Sequence, residues 1–397
     1  MHRNNNRNYK ASFIITAAFI LTCASCSTNK ETTKNNAPQS VATAQQDKET
    51  STPEAISIQN NLLATQTPIV TNHHPKAADS TGDTLTEEES NLGITSNGKE
   101  TFIKKYGKDV YDTALTYCSQ ALQINQNSEI SKTYFNKYRE TYQVENLTIK
   151  STYDQHNIPA TYIKLDEKEN RDTVIFIHGQ GCTRFTNMSV AELFLKNGYN
   201  ILTFDLRSSG ENKAKFTTYG ALEKYDLLDC VDYIDQKLDK KNKLIVWAGS
   251  YGGSVTSVTL GTDYANETID AAILDSPLDS METYLFGLWT TQGSKEEFDT
   301  VTDSCDKFLK HFYNFSLDDV NGKKAIAKTT VPTLFFGSSG DPRVPITVSK
   351  GLYEAATNTN KKMKLFDDDT HCMGSVKYPD VYMKEVKDFL KKNTKTN

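Results

Sequence analysis

The stretch LIVWAGSYGGSVTSVTLG, residues 244–261, decides the fold. Its first six residues are apolar or small, as in a short buried strand, and they run directly into Ser250 and a helical stretch. A serine at such a strand-to-helix turn is typical of a nucleophile elbow, which leaves almost no room for side chains two residues to either side. Gly252 fills one of these positions, and Ala248 replaces glycine at the other. The motif predicts that the Ser250 hydroxyl lies exposed at a sheet edge.

Continuous apolar segments on both sides of this stretch predict further strands. They are TVIFIH (173–178), YNILTF (199–204), DAAILD (270–275), PTLFFG (332–337) and MKLFD (363–367). Amphipathic stretches at 189–198 and 223–238 lie between them. This alternation predicts an α/β fold, with a mostly parallel central sheet and helices on both faces.

The segments around this alternation give three further predictions. Apolar residues at helical spacing predict a helix over 101–142. Alternating residues at 144–151 and 160–165 predict a hairpin whose turn contains Asn157 and Pro159. Residues 278–330 are too long for a loop and rich in aromatic residues, so they are expected to form a small helical cap over the carboxyl ends of the strands.

Two residues downstream of Ser250 complete a catalytic pattern. Asp341 follows the strand PTLFFG, and His371 follows the last predicted strand. A serine hydroxyl is a weak nucleophile until a base removes its proton, and an acid is needed to orient that base. The order serine, aspartate, histidine along successive strands therefore predicts that Ser250 is the nucleophile, His371 the base and Asp341 the orienting acid. Asp275, after another strand, is a reserve acid.

An oxyanion formed at Ser250 would need two backbone donors. The N–H of Tyr251 is expected to be one of them, because it lies at the start of the elbow helix. The other is expected from the loop after TVIFIH, where we favour Gln180 and Gly181 is the alternative. His178 at the start of that loop is expected to be a structural residue rather than a second base.

Ordered motifs from about 170 to 390 resemble the α/β-hydrolase superfamily and are similar to bacterial serine-aminopeptidase-like and YqkD-like hydrolases. The motifs are HGQGCTR (178–184), FDLRSSGEN (204–212), TTYGALEKYD (217–226), AGSYGG (248–253), GSSGDPRVP (337–345) and THCMG (370–374). The resemblance implies hydrolysis of esters, thioesters, amides or peptides. It also implies that Asp205 and Arg207 are structural and buttress the oxyanion loop. Ala248 and Ser338 depart from the usual pattern without removing a catalytic group.

The N-terminus is typical of an exported protein. Residues 1–10 carry three positive charges and no acid, and residues 11–22 are apolar or small, which is too short for the ~20 residues of a membrane span. The sequence LTCASCS (21–27) resembles a lipobox in which Cys26 would be lipidated, with Cys23 and an ordinary cleaved signal as alternatives. We therefore expect a signal peptide over 1–26 and a lipoprotein anchored to the outer face of the cell membrane, or alternatively a secreted protein.

Residues 27–99 are polar and lack a sustained period, so they predict a disordered linker before a catalytic domain at 100–397.

The chain has 397 residues and a formal net charge of -5, which argues against a nucleic-acid binder.

Five cysteines in the predicted domain are irregularly spaced, and their odd number does not indicate a disulfide framework. They are Cys118, Cys182, Cys230, Cys305 and Cys372. Most are expected to be buried thiols, although Cys182 and Cys372 lie on loops that could meet. The sequence shows no phosphate loop, dinucleotide fingerprint or metal-ligand cluster, so we expect no cofactor and no metal.

Three functions fit these observations. The first is a serine hydrolase that cleaves small or medium acyl esters through an acyl-enzyme intermediate. The second is a cell-surface peptidase or amidase of the same fold, for which the acids at 367–369 would attract a cationic amino terminus. The third is a non-catalytic binding module on a hydrolase frame. The expected partners are an ester or peptide substrate and a membrane, while the oligomeric state stays open.

Overall fold

The computed structural model describes residues 85–122, 135–136, 139–166, 170–239, 241–289 and 294–394. The predicted signal peptide at 1–26 with Cys26, and the predicted linker as far as residue 84, lie outside the described residues. Within the described ranges no helix is both long and apolar enough to cross a membrane.

The described residues contain one eight-stranded sheet. Its strands are β1 (Gln143–Lys150), β2 (Asn157–Lys164), β3 (Thr173–Ile177), β4 (Asn200–Phe204), β5 (Leu244–Gly249), β6 (Ala271–Asp275), β7 (Thr333–Ser338) and β8 (Lys361–Phe366). The spatial order is β1-β2-β4-β3-β5-β6-β7-β8. Strands β1 and β2 pair antiparallel with each other, as do β2 and β4, and the remaining pairs are parallel. The predicted α/β fold with a mostly parallel sheet is confirmed.

Helices lie on both sides of this sheet. They are α1 (Glu87–Asn91), α2 (Ser96–Tyr106), α3 (Lys108–Leu122), α4 (Met188–Lys196), α5 (Glu223–Asp235), α6 (Tyr251–Leu260), α7 (Asp263–Thr268), α8 (Met281–Trp289), α9 (Lys295–Tyr313), α10 (Gly322–Ile326), α11 (Ile346–Ala355), α12 (Gly374–Lys377) and α13 (Pro379–Asn393), with a 3₁₀ turn at Asp318–Val320. Successive side chains of β5 point to opposite faces. Val246 joins a core with α5 and α6, whereas Trp247 joins a second core with α4 and α13.

Two local predictions were wrong in detail. The helix predicted over 101–142 is divided at Gly107, whose φ of +96° interrupts the helical hydrogen bonds, and β1 begins at Gln143. Residues 123–134 and 137–138 of that prediction lie outside the described residues. The turn of the β1–β2 hairpin occupies 151–156, so Asn157 and Pro159 already belong to β2.

The predicted linker also differs at its C-terminal end, because α1 and the start of α2 precede residue 100. Thr86 and Glu89 form a capping box that satisfies the first N–H groups of α1. Leu92 and Ile94 then bury their side chains in the core. These contacts offset the ordering entropy of a segment whose composition alone looks disordered.

The segment predicted as a cap contains α8 and α9, which we call the cap helices. Their aromatic side chains pack against the N-terminal helices. The Phe102 ring contacts Phe308 and Phe312 at centroid distances of 6.1 and 5.7 Å, and Tyr111 lies 6.0 Å from Phe308. These aromatic contacts therefore join the segment predicted as a cap to helices that are distant from it in sequence.

Candidate active site

Ser250 occupies the tight turn between β5 and α6. Its φ of +54° and ψ of -122° form a strained conformation for a residue with a side chain, at a cost of about 1–3 kcal/mol. Hydrogen bonds hold it there. The Ser250 N–H donates to the Asp275 carbonyl over 3.0 Å, and the Ser250 carbonyl accepts from the N–H groups of Gly253 and Leu278 over 2.8 and 2.9 Å. The turn leaves Ser250 half-buried at the carboxyl end of β5.

The small residues on either side of Ser250 are required to different degrees. A Cβ at Gly252 would lie 2.7 Å from the Ile177 carbonyl oxygen, so α6 could not pack against β3 with a larger residue there. Ala248 pairs in register with Ile177 and Leu274 and is fully buried in the core. The elbow thus accommodates a methyl group two residues before the serine, at Ala248, but no side chain two residues after it, at Gly252.

Asp341 and His371 form a buried pair at the same sheet edge. Asp341 follows β7, His371 follows β8, and the Asp341 Oδ2 lies 2.7 Å from the His371 Nδ1. Their side chains are 1% and 3% exposed. The other carboxylate oxygen of Asp341 accepts the N–H groups of Arg343 and Val344 over 2.8 and 3.0 Å. These two hydrogen bonds fix the Asp341 carboxylate in the orientation in which it holds the imidazole.

The second imidazole nitrogen is the candidate base. Because Asp341 accepts the proton on Nδ1, the neutral ring presents the lone pair of Nε2. This Nε2 atom is buried and has no hydrogen-bond partner among the described residues. An unpartnered acceptor in a buried site is suited to removing the proton of a hydroxyl, and catalytic hydrogen bonds often tighten only when substrate binds.

Asp275, the reserve acid, has a different partner. Its carboxylate accepts the Tyr382 hydroxyl over 3.1 Å, and that hydroxyl accepts the indole N–H of Trp247 over 2.8 Å. Burial raises the pKa of Asp275 to about 6, although the hydrogen bond to Tyr382 opposes this rise. The structure therefore places Asp341, and not Asp275, on His371.

The loop after β3 lies directly against Ser250. A Cβ on Gly179 would be 3.3 Å from the Ser250 Cβ, so the loop backbone closely approaches this side chain. In the described part of the chain, the N–H groups of Gln180 and Tyr251 have no hydrogen-bond acceptor. Tyr251 is the first residue of α6, where the helix dipole also favours negative charge. The assignment of these two N–H groups to an oxyanion stays a prediction.

His178 links two loops and is a structural residue, as expected. Its Nδ1 donates to the Gly179 carbonyl over 2.8 Å, and its Nε2 accepts the Leu206 N–H over 3.1 Å. Burial lowers its pKa, so the ring stays neutral and keeps these two roles.

The structure confirms the buttressing role for Asp205 and corrects it for Arg207. Asp205 accepts the Arg184 N–H over 2.8 Å and forms a buried ion pair with its guanidinium, which fixes the end of the oxyanion loop. Arg207 instead pairs with Asp226 and Asp154, and so joins α5 to the β1–β2 turn. The prediction for Arg207 was wrong because its side chain points away from the loop that its motif neighbour Asp205 contacts.

A tyrosine cluster beside the oxyanion loop was missed. Tyr219 has a φ of +54°, is fully buried, and its ring lies 5.0 Å from that of Tyr251 and 5.6 Å from that of Tyr284 on α8. Burial raises the pKa of its hydroxyl well above the usual value, and a hydrogen bond with the Gln180 side chain opposes this rise. The motif TTYGALEKYD contains Tyr219, but only the fold brings it near α8 and the site.

Other sequence candidates at the site have simpler roles. Cys182 and Cys372 are both buried. Asp368 accepts the backbone N–H and the hydroxyl of Thr370 over 2.8 and 2.6 Å, while the Asp369 side chain is 91% exposed. The described residues contain no group of three or more metal-ligating side chains.

Comparison with known sequences identifies relatives of this domain. A sequence profile of the prolyl oligopeptidase family matches residues 185–397, a range that includes Ser250, Asp341 and His371. Uncharacterized protein YqkD of Bacillus subtilis is 27% identical over 219 residues, covering 55% of this chain and 71% of that protein. Acylamino-acid-releasing enzyme 1 of Oryza sativa subsp. japonica is 27% identical over 237 residues, which cover 53% of this chain but only 29% of that protein.

Solved structures show the same fold. The Pyrococcus furiosus esterase Pf2001 superposes with a TM-score of 0.51 at 22% identity, covering 68% of this chain and 97% of that one. The Pyrococcus horikoshii acylaminoacyl peptidase gives a TM-score of 0.48 at 18% identity, covering 68% and 44%. The first of these similarities supports the α/β-hydrolase fold expected from the sequence.

Proposed function

The chain belongs to the prolyl oligopeptidase family and is a serine hydrolase, and we propose that it cleaves carboxylic esters of small or medium acyl groups through an acyl-enzyme intermediate on Ser250. The observation that carries this proposal is the buried Asp341–His371 pair, whose Nε2 is unpartnered at the sheet edge that bears the serine elbow. An alkoxide leaves more readily than an amine, so these groups suffice for an ester.

Acylation uses each group once. The Ser250 oxygen attacks the carbonyl carbon while its proton passes to the His371 Nε2, and Asp341 stabilises the resulting imidazolium. The carbonyl oxygen becomes an oxyanion that accepts the N–H groups of Tyr251 and Gln180. When this tetrahedral intermediate collapses, the bond to the leaving alcohol breaks and the proton on Nε2 passes to the alcohol oxygen.

Deacylation repeats the same transfers with water. Water attacks the acyl carbon of the Ser250 ester and gives a proton to the His371 Nε2. The second tetrahedral intermediate then releases the carboxylic acid and returns that proton to the Ser250 oxygen. Throughout both steps the buried Asp341 carboxylate needs only to hold the ring.

Fluorophosphonate labelling of the full chain tests this assignment. We expect one adduct by intact mass on the wild type and none on Ser250→Ala or His371→Ala. Ser257→Ala is the matched control, because this buried α6 serine has no hydrogen-bond partner among the described residues and lies outside the proposed machinery. Labelling that persists on a folded Ser250→Ala variant would refute the assignment.

A peptidase or amidase activity is the second candidate. The family to which the chain belongs favours it, and the exposed Asp369 carboxylate offers a charge for a cationic amino terminus. Matched p-nitrophenyl esters and p-nitroanilides with the same acyl group separate the two candidates. Anilide turnover comparable to ester turnover, reduced at least about ten-fold by Asp369→Asn through KM, would favour the peptidase.

We also propose that the protein is exported and anchored to the membrane through a lipid on Cys26. The basic start and the short apolar stretch before Cys26 support this proposal. Radiolabelled palmitate incorporation in a bacterial host is expected for the wild type and for Cys23→Ser, but not for Cys26→Ser. Label on Cys26→Ser would contradict the proposal, and so would the absence of label on Cys23→Ser.

A further inference from the structure

Two cysteines lie on the buried faces of two helices that pack against each other. Cys118 lies on α3 and Cys305 on the cap helix α9, and both are 0% exposed. The buried residues of α3 include Tyr111, Ala114 and Cys118, which recur at helical spacing on one face. Those of α9 recur in the same way through Cys305 and Phe308. Both cysteines therefore belong to the surfaces through which the helices pack.

The helix register places Cys118 against the turn of α9 that contains Cys305. The ring of Tyr111 on α3 lies 6.0 Å from that of Phe308 and 6.4 Å from that of Phe312 on α9. Tyr117, beside Cys118, lines the same groove as Val301, so the two helices run antiparallel. Seven residues further along α3 than Tyr111 is Cys118, and seven residues back along α9 from the two rings are Val301 and Cys305, so Cys118 lies against the turn from Val301 to Cys305.

The side chains next to the cysteines allow the two backbones to approach. Ala114 and Ala121 on α3 and Ser304 on α9 are small and buried. Small residues at a helix contact reduce the separation of the axes. Burial raises the pKa of the Cys118 thiol well above its usual range, and a hydrogen bond to Cys305 adds to the rise. Cys305 is therefore a neighbour of the Cys118 thiol across the contact between the two helices.

We propose that Cys118 and Cys305 form a disulfide when the chain folds under oxidising conditions, which joins α3 to the cap. With oxidised glutathione as the oxidant, one thiolate attacks the glutathione disulfide and releases one glutathione thiol. The second cysteine thiolate then displaces the other glutathione. Two protein thiols become one disulfide, and oxidised glutathione is reduced to two thiols.

The bond is expected to form during folding. In the folded protein both thiols are buried and the Cys118 thiolate is disfavoured, so exchange with solvent oxidants is slow. During folding the thiols are accessible, and packing of α3 on α9 then brings them together. Cys230, on α5, is also buried and serves as an internal control.

The test refolds the full chain in glutathione buffer, oxidising or reducing, and maps peptides after alkylation of free thiols. We expect a linked pair of peptides containing Cys118 and Cys305, two hydrogen masses lighter than the reduced pair. The thermal midpoint of the oxidised wild type should exceed that of the reduced wild type by about 5–10 °C. Comparing two redox states of one chain avoids dependence on a variant that fails to fold.

Matched variants complete the test. Cys118→Ser and Cys305→Ser should remove both the linked peptides and the midpoint difference, whereas Cys230→Ser should keep them. Alkylation of both cysteines in protein refolded under oxidising conditions, or a midpoint that does not depend on the redox state, would overturn the proposal. None of these results depends on the hydrolase assignment, because no catalytic residue is altered.

Discussion

Replacing Asp341 by asparagine perturbs the candidate site at the group that sets the histidine tautomer. One oxygen of Asp341 accepts the N–H groups of Arg343 and Val344 over 2.8 and 3.0 Å, and the other faces the His371 Nδ1 at 2.7 Å. An asparagine side chain must direct its carbonyl oxygen towards the two backbone donors. Its NH₂ group then faces Nδ1, which has to become the acceptor.

This reversal puts the proton on the His371 Nε2, where it blocks the transfer from Ser250. We expect Asp341→Asn to lower kcat/KM by about 10⁴-fold, which corresponds to about 5 kcal/mol of lost transition-state stabilisation. Asp341→Ala lets the ring keep either tautomer, so it should retain at least about ten-fold more activity than Asp341→Asn. Steady-state hydrolysis of p-nitrophenyl butyrate measures both variants, and thermal unfolding confirms that they are folded.

Asp275→Asn is the matched control, because Asp275 is a buried carboxylate near the same histidine but bonded to Tyr382. It should keep activity within about ten-fold of the wild type. The reasoning is refuted if Asp341→Asn stays within ten-fold of the wild type, or if Asp341→Ala is the more damaged of two folded variants.

Three further predictions concern stability. Arg184→Met leaves the buried Asp205 without its cation, and denaturant unfolding should show a loss of about 3–5 kcal/mol. Gly252→Ala places a Cβ 2.7 Å from the Ile177 carbonyl oxygen and should cost at least about 2 kcal/mol, measured in the same way. The pKa of Asp275 is raised to about 6, so stability falls as pH rises between about 4 and 6, because the folded protein keeps a proton that the unfolded chain has lost. Asp275→Asn removes this dependence, so its unfolding free energy relative to the wild type should rise by about 2–3 kcal/mol from about pH 4 to 7.

Controls distinguish these causes from general damage. Lys213→Met removes an exposed cation and should change stability by less than about 0.5 kcal/mol. Ala248→Gly should cost only about 0.5–1 kcal/mol, because it removes a methyl group from the elbow instead of adding one. If the unfolding free energy of Asp275→Asn depends on pH in the same way as that of the exposed-acid variant Asp380→Asn, the raised pKa of Asp275 is contradicted. An Arg184→Met variant as stable as Lys213→Met would contradict the ion-pair prediction.

The sheet and the candidate triad were readable from the sequence for a local reason. Each strand is a short apolar run, and Ser250, Asp341 and His371 each follow such a run, so the position of each residue depends on its own neighbours in the chain. Parallel strands place their carboxyl ends at one edge, so the three residues are expected at that edge.

The choice between Asp341 and Asp275, the direction of Arg207 and the packing of α3 against the cap depended on tertiary structure. Both acids follow strands, but only Asp341 reaches the His371 Nδ1, because Tyr382 occupies the Asp275 carboxylate from α13. Likewise, nothing near Cys118 in sequence indicates Cys305. The sequence by itself determined the strands, the elbow and the order of the candidate triad, whereas side-chain partners between distant segments are decided only when helices and sheet pack, since those contacts carry no local sequence pattern.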